Sequence, residues 1–318
     1  MPTEKTSQKR ASTLADVAEM YYLEGKGQSD IALEVGVTRS MVSRMLTEAR
    51  RQGIVEIKVI RPIHSNHELE EAIKTKFGID CVFVYSMEDS KPGKMLPNLG
   101  RAAAEVFKTQ LRPDLVIGVA WGTAVSATVD AVQVTKEPST KVIQLVGAQG
   151  ARLDDYDGHS IVKRLAEKLG GQGYYINAPY LCQTPEIALS LRETRGIKET
   201  IDMSREVDVA LLGIGTTEIE FSSLYLSGLL TEEEVKVIQK NGVVGDIASN
   251  YFTLTGNTYK DEFIERMIAI SLEDLRRIPV RIGIAGGAAK VNAIVGALNS
   301  RLINCLVTDS ITARLITK

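Results

Sequence analysis

Cysteine, histidine and tryptophan are scarce in this chain of 318 residues, which has three cysteines, three histidines and one tryptophan. Cys81, Cys182 and Cys305 lie far apart and form no CxxC pair, so neither a disulfide framework nor a cysteine zinc site is expected. We expect three unpaired cysteines in a reducing cytoplasm. The HSNH run at 64–67 is interpreted as part of a linker rather than a metal site. The sequence therefore predicts no metal ion and no other cofactor.

Long apolar runs and an excess of charge are also missing. No stretch reaches the roughly 18 apolar residues of a membrane-spanning helix, and the polar residues 1–13 are predicted to be a short disordered tail rather than a secretory signal. Lys+Arg number 38 and Asp+Glu 40, a net charge of −2. That balance excludes an architectural DNA-bundling protein, which would be strongly basic. Any contact with nucleic acid must therefore come from a local patch.

A local basic patch does exist, because residues 36–62 hold six Lys/Arg and two Asp/Glu. Apolar residues recur at helical spacing on both sides of Gly36, where a tight turn needs a positive φ. Ala32, four residues earlier, lets the two helices cross closely. The alternating segment 54–62 is predicted to form the wing of a winged helix. Residues 1–62 are therefore predicted to be a winged helix-turn-helix domain that binds duplex DNA.

The third helix of this domain is expected to face the DNA, since its outward side chains are donors that suit base edges and phosphates. The residues predicted to contact DNA are Gln28, Ser29, Thr38, Arg39, Ser40, Ser43, Arg44 and Arg50, and Thr47 and Arg51 extend that surface.

Residues 63–318 alternate apolar strands with helices, the pattern of a doubly wound, mostly parallel α/β sheet. Strands are predicted at 81–85, 115–120, 141–147, 174–178, 207–214, 280–285 and 303–308. Helices are predicted at 68–77, 97–111, 122–133, 158–169, 231–240, 287–299 and 308–317. Ligands of such sheets bind beyond the carboxyl ends of the strands, so a ligand site is expected in the turns that follow them.

Five of these turns combine glycine with polar groups. Gly122 opens a helix whose N-terminal amides suit an anion, and Gly286 starts a backbone nest with Lys290 one turn into the next helix. The candidates from all five turns are Trp121, Gly122, Thr123, Gln149, Gly215, Asp246, Gly286 and Lys290. No turn matches GxGxxG or GxxxxGK[ST], which disfavours dinucleotide and Walker-type sites.

Nearly the whole chain resembles the SorC family of sugar-responsive bacterial transcriptional regulators. The resemblance rests on residues 21–59, GVAWGTAV (118–125), VALLGIGT (209–216), VVGDIASNYF (243–252) and residues 278–316. It implies a winged helix followed by an effector domain with the fold of sugar-phosphate isomerases and deaminases. It also implies a sugar or sugar-phosphate effector, and a homodimer or homotetramer that acts on operators of carbohydrate operons.

The resemblance also assigns roles to individual residues. It implies that Gly122–Val125, which adds Ala124 and Val125 to the candidates, holds a phosphate end, and that Asp246 and Lys290 face the ligand. Several members that bind phosphosugars have two adjacent hydroxyl residues after the turn glycine, where this chain has Thr123 and Ala124. That departure leaves open whether the effector is a phosphate or a neutral polyol.

An isomerase or deaminase is the alternative function, because fold alone does not decide activity. Proton transfer needs a base and an acid near the substrate. Asp246 is a candidate base, but its loop contains no histidine or glutamate. His159 follows Asp154, Asp155 and Asp157, and this acidic segment is interpreted as a solvated helix cap. The sequence therefore predicts a non-enzymatic regulator, and leaves open which sugar it senses and whether the ligand releases or recruits DNA binding.

Overall fold

A computed structural model of the protein describes residues 4–57, 63–86, 93, 95–134, 138–150 and 155–318. The chain divides into two compact units, an N-terminal unit (Met1–Pro62) and a C-terminal unit (Ile63–Lys318). The α-helices are α1 (Glu4–Tyr22), α2 (Gln28–Val35), α3 (Arg39–Arg51), α4 (His67–Phe77), α5 (Met95–Lys108), α6 (Thr123–Ala131), α7 (Gly158–Lys168), α8 (Pro185–Arg192), α9 (Arg195–Met203), α10 (Ser223–Leu226), α11 (Glu232–Lys240), α12 (Glu262–Glu265), α13 (Leu272–Arg277), α14 (Val291–Asn299) and α15 (Ser310–Thr317). The strands are β1 (Cys81–Tyr85), β2 (Val116–Val119), β3 (Lys141–Gln144), β4 (Gln172–Tyr174), β5 (Val209–Gly213), β6 (Gly215–Thr216), β7 (Val243–Ile247), β8 (Asn250–Thr253), β9 (Thr258–Tyr259), β10 (Val280–Ile284) and β11 (Cys305–Asp309). Single 3₁₀ turns lie at Ser204–Glu206, Ile219–Phe221 and Ala288–Lys290.

The N-terminal unit packs α1, α2 and α3 around one apolar core. Its buried residues are Leu14, Val17, Ala18, Ile31, Ala32, Val42, Leu46 and Ala49. Helix α2 ends at Gly36, whose φ of 71° is left-handed and whose N–H bonds to Ala32 O, so the turn needs a residue that adopts this region without strain. Helices α2 and α3, with the turn between them, thus form the predicted helix-turn-helix.

Two expectations for the N-terminal unit are not met. Helix α1 begins at Glu4, so the prediction of a disordered tail is wrong from that residue on. The Glu, Lys, Gln and Arg residues of this segment are good helix formers. The predicted wing strand is absent from 54–57. Residues 58–62 of that wing lie outside the described residues.

The C-terminal unit is built on a seven-stranded sheet in the order β1-β11-β10-β5-β2-β3-β4. Every neighbouring pair in it is parallel, which confirms the predicted fold class. The neighbours Leu306 and Val307 in β11 belong to different apolar clusters, so the sheet is buried on both faces. One strand was misplaced, because β4 covers Gln172–Tyr174 instead of 174–178.

A second, antiparallel sheet in the order β6-β7-β8-β9 was not predicted. Strands β7 and β8 form a hairpin that turns at Ala248 and Ser249, with φ values of 47° and 67°. Asp246 therefore lies within a strand and not in a strand-to-helix turn, as the sequence had suggested. The hairpin was missed because left-handed turn positions usually carry Gly, Asn or Asp rather than Ala and Ser.

A disulfide joins Cys81 and Cys305, which are register partners on the adjacent strands β1 and β11. The expectation of three unpaired cysteines is therefore wrong for these two, whereas Cys182 is free and buried. The partners are 224 residues apart, and their proximity follows from a strand order that spacing does not reveal. In the part of the chain that the structure describes, no helix is both long and apolar enough to cross a membrane.

Candidate functional site

Helix α3 presents a polar face to solvent in the N-terminal unit. Val42, Leu46 and Ala49 are buried on its inner side, and Arg44 and Arg51 are exposed. These arginines are seven residues apart, so they share one face about two turns long. An exposed basic helix of this kind fits the major groove of duplex DNA.

A shallow groove on this face is lined by Ser43, Arg44, Thr47, Glu48 and Arg51. Its acidic residue, Glu48, accepts a hydrogen bond from Arg10 at 2.8 Å and one from Gln52 at 2.8 Å. The Arg10 guanidinium holds the pKa of Glu48 below its usual value. Glu48 and Arg10 were missed from the sequence because the ion pair spans 38 residues and two helices.

The predicted DNA-contacting residues differ in their exposure and in whether they line the groove. Ser29, Thr38, Arg39, Ser40, Ser43, Arg44 and Arg50 are exposed, and Gln28 is half-buried. Of these, Ser43 and Arg44 line the groove. Arg50 lies outside it and donates to Thr47 Oγ1 at 3.5 Å, so Arg51 rather than Arg50 shares the face of Arg44.

The C-terminal unit contains a cavity of about 60 Å³ beyond the carboxyl ends of β2 and β5. It is lined by Ala120, Trp121, Gly122, Thr123, Ala124, Gly213, Ile214, Gly215, Thr216, Ser222, Ser223, Leu224, Asp246, Ala248 and Lys290. Seven of the ten predicted ligand residues are in this lining, namely Trp121, Gly122, Thr123, Ala124, Gly215, Asp246 and Lys290. These seven residues come from four separate stretches of chain, which converge where a parallel sheet places its ligands.

Asp246 and Lys290 bring opposite charges to the cavity. Burial raises the pKa of Asp246 to about 6, against the opposing effects of the Ser249 backbone N–H and the Lys290 charge. Burial also lowers the pKa of Lys290, an effect that the Asp246 charge opposes. Lys290 Nζ donates to Ile214 O at 2.6 Å. A carboxylate that accepts and an ammonium that donates suit a ligand that carries hydroxyl groups.

Gly215 allows Asp246 to reach this position. The two residues are register partners on β6 and β7, and a Cβ at Gly215 would overlap Asp246 Oδ1. The sequence had selected Gly215 only as part of a glycine-containing turn. Its role in the structure is to leave space for a carboxylate.

Helix α6 begins at the same cavity. Gly122 is its N-cap, with a φ of 127° and no side-chain acceptor for the first amides. Trp121 is partly exposed and packs edge-to-face against Tyr180, with 6.2 Å between the ring centroids. An uncapped helix start beside a lysine is suited to an anionic group.

Three predicted residues do not line the cavity: Val125, Gln149 and Gly286. Val125 is buried in the core. The nest that Gly286 begins is filled from within the protein, because Gly287 N donates to Asp309 Oδ2 at 2.9 Å and to Thr312 Oγ1 at 2.7 Å. The acceptors in that nest are therefore Asp309 of β11 and Thr312 of α15, more than twenty residues further along the chain.

Sequence reasoning missed the wall formed by Ser222, Ser223 and Leu224. These residues follow the 3₁₀ turn Ile219–Phe221, and Ser222 caps α10. The serine pair beyond the glycine-rich turn of β5 was a usable signal. The serine pair lies beyond the 3₁₀ turn, and so outside the turn that directly follows β5.

Three comparisons relate the chain to known proteins. The family described as "Putative sugar-binding domain" matches residues 61–318. The sorbitol operon regulator of Klebsiella pneumoniae is 30% identical over 96% of this chain and 97% of that protein. The deoxyribonucleoside regulator of Bacillus subtilis (strain 168) is 30% identical over 94% and 95%. The crystal structure of full-length SorC from Klebsiella pneumoniae has a TM-score of 0.75 and 29% identity, and covers 96% of this chain and 98% of that one.

Proposed function

Because this chain belongs to the SorC family of sugar-responsive transcriptional regulators, we propose that it controls a carbohydrate operon by binding operator DNA and a sugar or sugar-phosphate effector. Two of the relatives are named as a sorbitol operon regulator and a deoxyribonucleoside regulator. The effector occupies the cavity of the C-terminal unit, and the N-terminal unit, residues 1–62, binds the DNA.

The proposal that this unit binds an effector rests on one observation. Asp246 and Lys290 both line the same cavity, beside the start of α6. Asp246 accepts from effector hydroxyls, and Lys290 donates to an anion or a hydroxyl. The α6 amides at Gly122–Ala124 take the phosphate where the effector has one. These roles are part of the proposal.

The comparisons favour a regulator over an isomerase or deaminase, since the relatives are named as regulators. The absence of catalysis is part of the proposal. Incubation of the protein with hexose and pentose phosphates, followed by phosphorus NMR, should therefore give no new resonance.

The effector half is tested by titrating matched sugar and sugar-phosphate pairs, with the emission of Trp121, the single tryptophan, as the signal. Lys290→Ala should weaken binding of a sugar phosphate by about 2–3 kcal/mol, as expected for a charge-assisted hydrogen bond. The matched neutral sugar should lose less. Lys240→Ala, which removes an exposed lysine on α11, is the control. Unchanged affinity in Lys290→Ala and in Asp246→Asn would place the effector elsewhere.

The DNA half is tested with a labelled operator duplex. Arg44→Ala should weaken operator binding by about 1–3 kcal/mol, the usual contribution of an arginine that reads a base edge. Lys26→Ala, a lysine paired with Glu34 on the same unit, should bind like the wild type. Operator binding by Arg44→Ala and Arg39→Ala at wild-type affinity would contradict this placement.

A further inference from the structure

Four buried polar atoms lie near the carboxyl ends of β3 and β4, outside the lining of the cavity. They are Gln144 Oε1, Gln149 Nε2, Asp157 Oδ2 and His159 Nδ1, and none has a hydrogen-bond partner among the described residues. Gln144 and Asp157 are 1% and 2% exposed. Buried polar atoms are nearly always paired, so a group of unpaired ones indicates a site that something else occupies.

Three of these side chains lie next to one another. Asp157 caps α7 by accepting from His159 N at 2.8 Å through Oδ1, which leaves Oδ2 unpaired. The His159 ring stacks on Tyr175 with 5.2 Å between centroids. A Cβ added at Gly158 would lie 2.9 Å from Gln144 Nε2, so the Gln144 amide lies directly against this cap.

The unpaired atoms are mainly acceptors. Gln144 Nε2 donates to Val146 O, which leaves Oε1 as the free end of the amide. His159 Nε2 faces Asn177 Oδ1 at 3.3 Å, and His159 Nδ1 lies 3.7 Å from Asp157 Oδ1. Gln144 Oε1 and Asp157 Oδ2 are therefore two acceptors, and Gln149 Nε2 is a donor. Acceptors of this kind require hydroxyl donors, which a fully ionised phosphate does not offer.

This group of residues lies close to the lining of the cavity at Trp121 and Gly122. Gly122 N donates to Tyr156 O at 3.0 Å, one residue before Asp157. Tyr180, which packs against Trp121, donates its backbone N–H to Ala148 O at 2.7 Å, one residue before Gln149. The connection between β3 and α7 therefore contacts Gly122 directly, and reaches Trp121 through Tyr180.

We infer that Gln144, Gln149, Asp157 and His159, here called the Asp157 subsite, bind free hydroxyl groups of the effector beyond Trp121. The inference rests on the proposed function and narrows it. The effector is a sugar or polyol with free hydroxyls at one end and at most one phosphate, which is held at the other end by Lys290 and the start of α6. A sugar phosphorylated at both ends does not fit this arrangement.

The test compares probes that differ by one hydroxyl away from the phosphate. Ribose 5-phosphate is paired with 2-deoxyribose 5-phosphate, and glucose 6-phosphate with 2-deoxyglucose 6-phosphate, each titrated against the full chain by Trp121 emission. Asp157→Asn keeps a good helix cap, because Asn caps as well as Asp, but replaces the Oδ2 acceptor by a donor. The wild type should prefer one hydroxylated probe by about tenfold or more, the usual contribution of a hydrogen bond to a charged group. Asp157→Asn should lose most of that preference.

Two further variants separate a binding role from a structural one. His159→Phe retains an aromatic ring over Tyr175 but removes the polar Nδ1 atom, and should also lose the preference. Asp261→Asn makes the same carboxylate-to-amide change at the cap of α12 and should keep it. Without probe, Asp157→Asn should melt at or above the wild-type temperature, because it keeps the cap and Oδ2 has no partner among the described residues. His159→Phe also loses the contact between Nε2 and Asn177, so only its probe preference is compared.

The possible failures are distinguishable. If the wild type binds a probe but both variants keep its hydroxyl preference, the subsite holds only water and the inference is wrong while the proposed function stands. A clear fall in melting temperature for Asp157→Asn would mean that the chain itself pairs Asp157 Oδ2, which also overturns the inference. A wild type that binds none of the probes or their free sugars would contradict the proposed function, and the inference with it.

Discussion

Asp246 is expected to make binding at the proposed effector site depend on pH, because burial raises the pKa of Asp246 to about 6. Above that pH the carboxylate is ionised and accepts from effector hydroxyls. Below it, the protonated form loses acceptor strength, so effector affinity should fall as the pH drops from 7 to 5. The measurement is a dissociation constant at each pH from Trp121 emission, with a neutral sugar as ligand since phosphate itself titrates near pH 6. Asp246→Asn should remove the dependence, and an unchanged pH profile in that variant would exclude Asp246 as its source.

Gly215 allows a second test at the scale of one residue. Gly215→Ala should leave the fold intact but weaken effector binding by about tenfold or more, because Asp246 must move away from the new methyl group. Gly196→Ala is the matched control, since a Cβ at that helical position meets nothing within 4 Å. It should bind effector normally and gain about 0.5–1 kcal/mol in unfolding free energy. Normal binding in Gly215→Ala would show that the position of Asp246 is not critical.

The cavity is too small for its proposed ligand unless an element moves. Its volume is about 60 Å³, whereas sites for small molecules usually measure about 300–1,000 Å³. The segment 219–226, a 3₁₀ turn followed by the single-turn helix α10, forms one wall and exposes Phe221 and Leu226 to solvent. Short elements of this kind open at low cost in free energy, so we expect this segment to move when the effector enters.

Hydrogen exchange of the full chain measures that movement. Amides of 219–226 should exchange quickly without ligand and become protected when a sugar phosphate that the protein binds is added. Amides of the buried strand β5 should be protected in both states. Equal exchange of 219–226 with and without bound ligand would contradict the movement of this wall.

The elements with continuous apolar runs were predictable from sequence, and those formed by long-range pairing were not. Strand β1 was predicted with its observed bounds, Cys81–Tyr85, because a buried parallel strand leaves a clear apolar signature. The hairpin that carries Asp246 could not be predicted, because Ala248 and Ser249 occupy turn positions where glycine or asparagine would have indicated a hairpin. Gly286 was selected for a nest whose acceptor, Asp309, could be found only from the strand order.

The whole molecule is expected to act as an oligomer. A single winged helix covers a small stretch of DNA, whereas two that read the half-sites of a palindrome gain affinity through effective concentration. Light scattering at micromolar concentration should therefore give a mass of at least twice the 34.7 kDa of one chain. A species of one chain that retains full operator affinity would contradict this expectation.

Effector binding and operator binding are expected to be coupled in this one protein. Such coupling is reciprocal, so the factor by which an effector changes DNA affinity must equal the factor by which DNA changes effector affinity. The measurement uses an operator selected from a randomised duplex library by the full chain. Anisotropy of the labelled operator with and without a bound sugar phosphate gives the first factor, and Trp121 emission with and without operator gives the second. The two factors should be equal and at least about fivefold, the lower end of typical allosteric coupling. Enrichment of no sequence, or a sugar phosphate that binds without changing DNA affinity, would contradict the coupling.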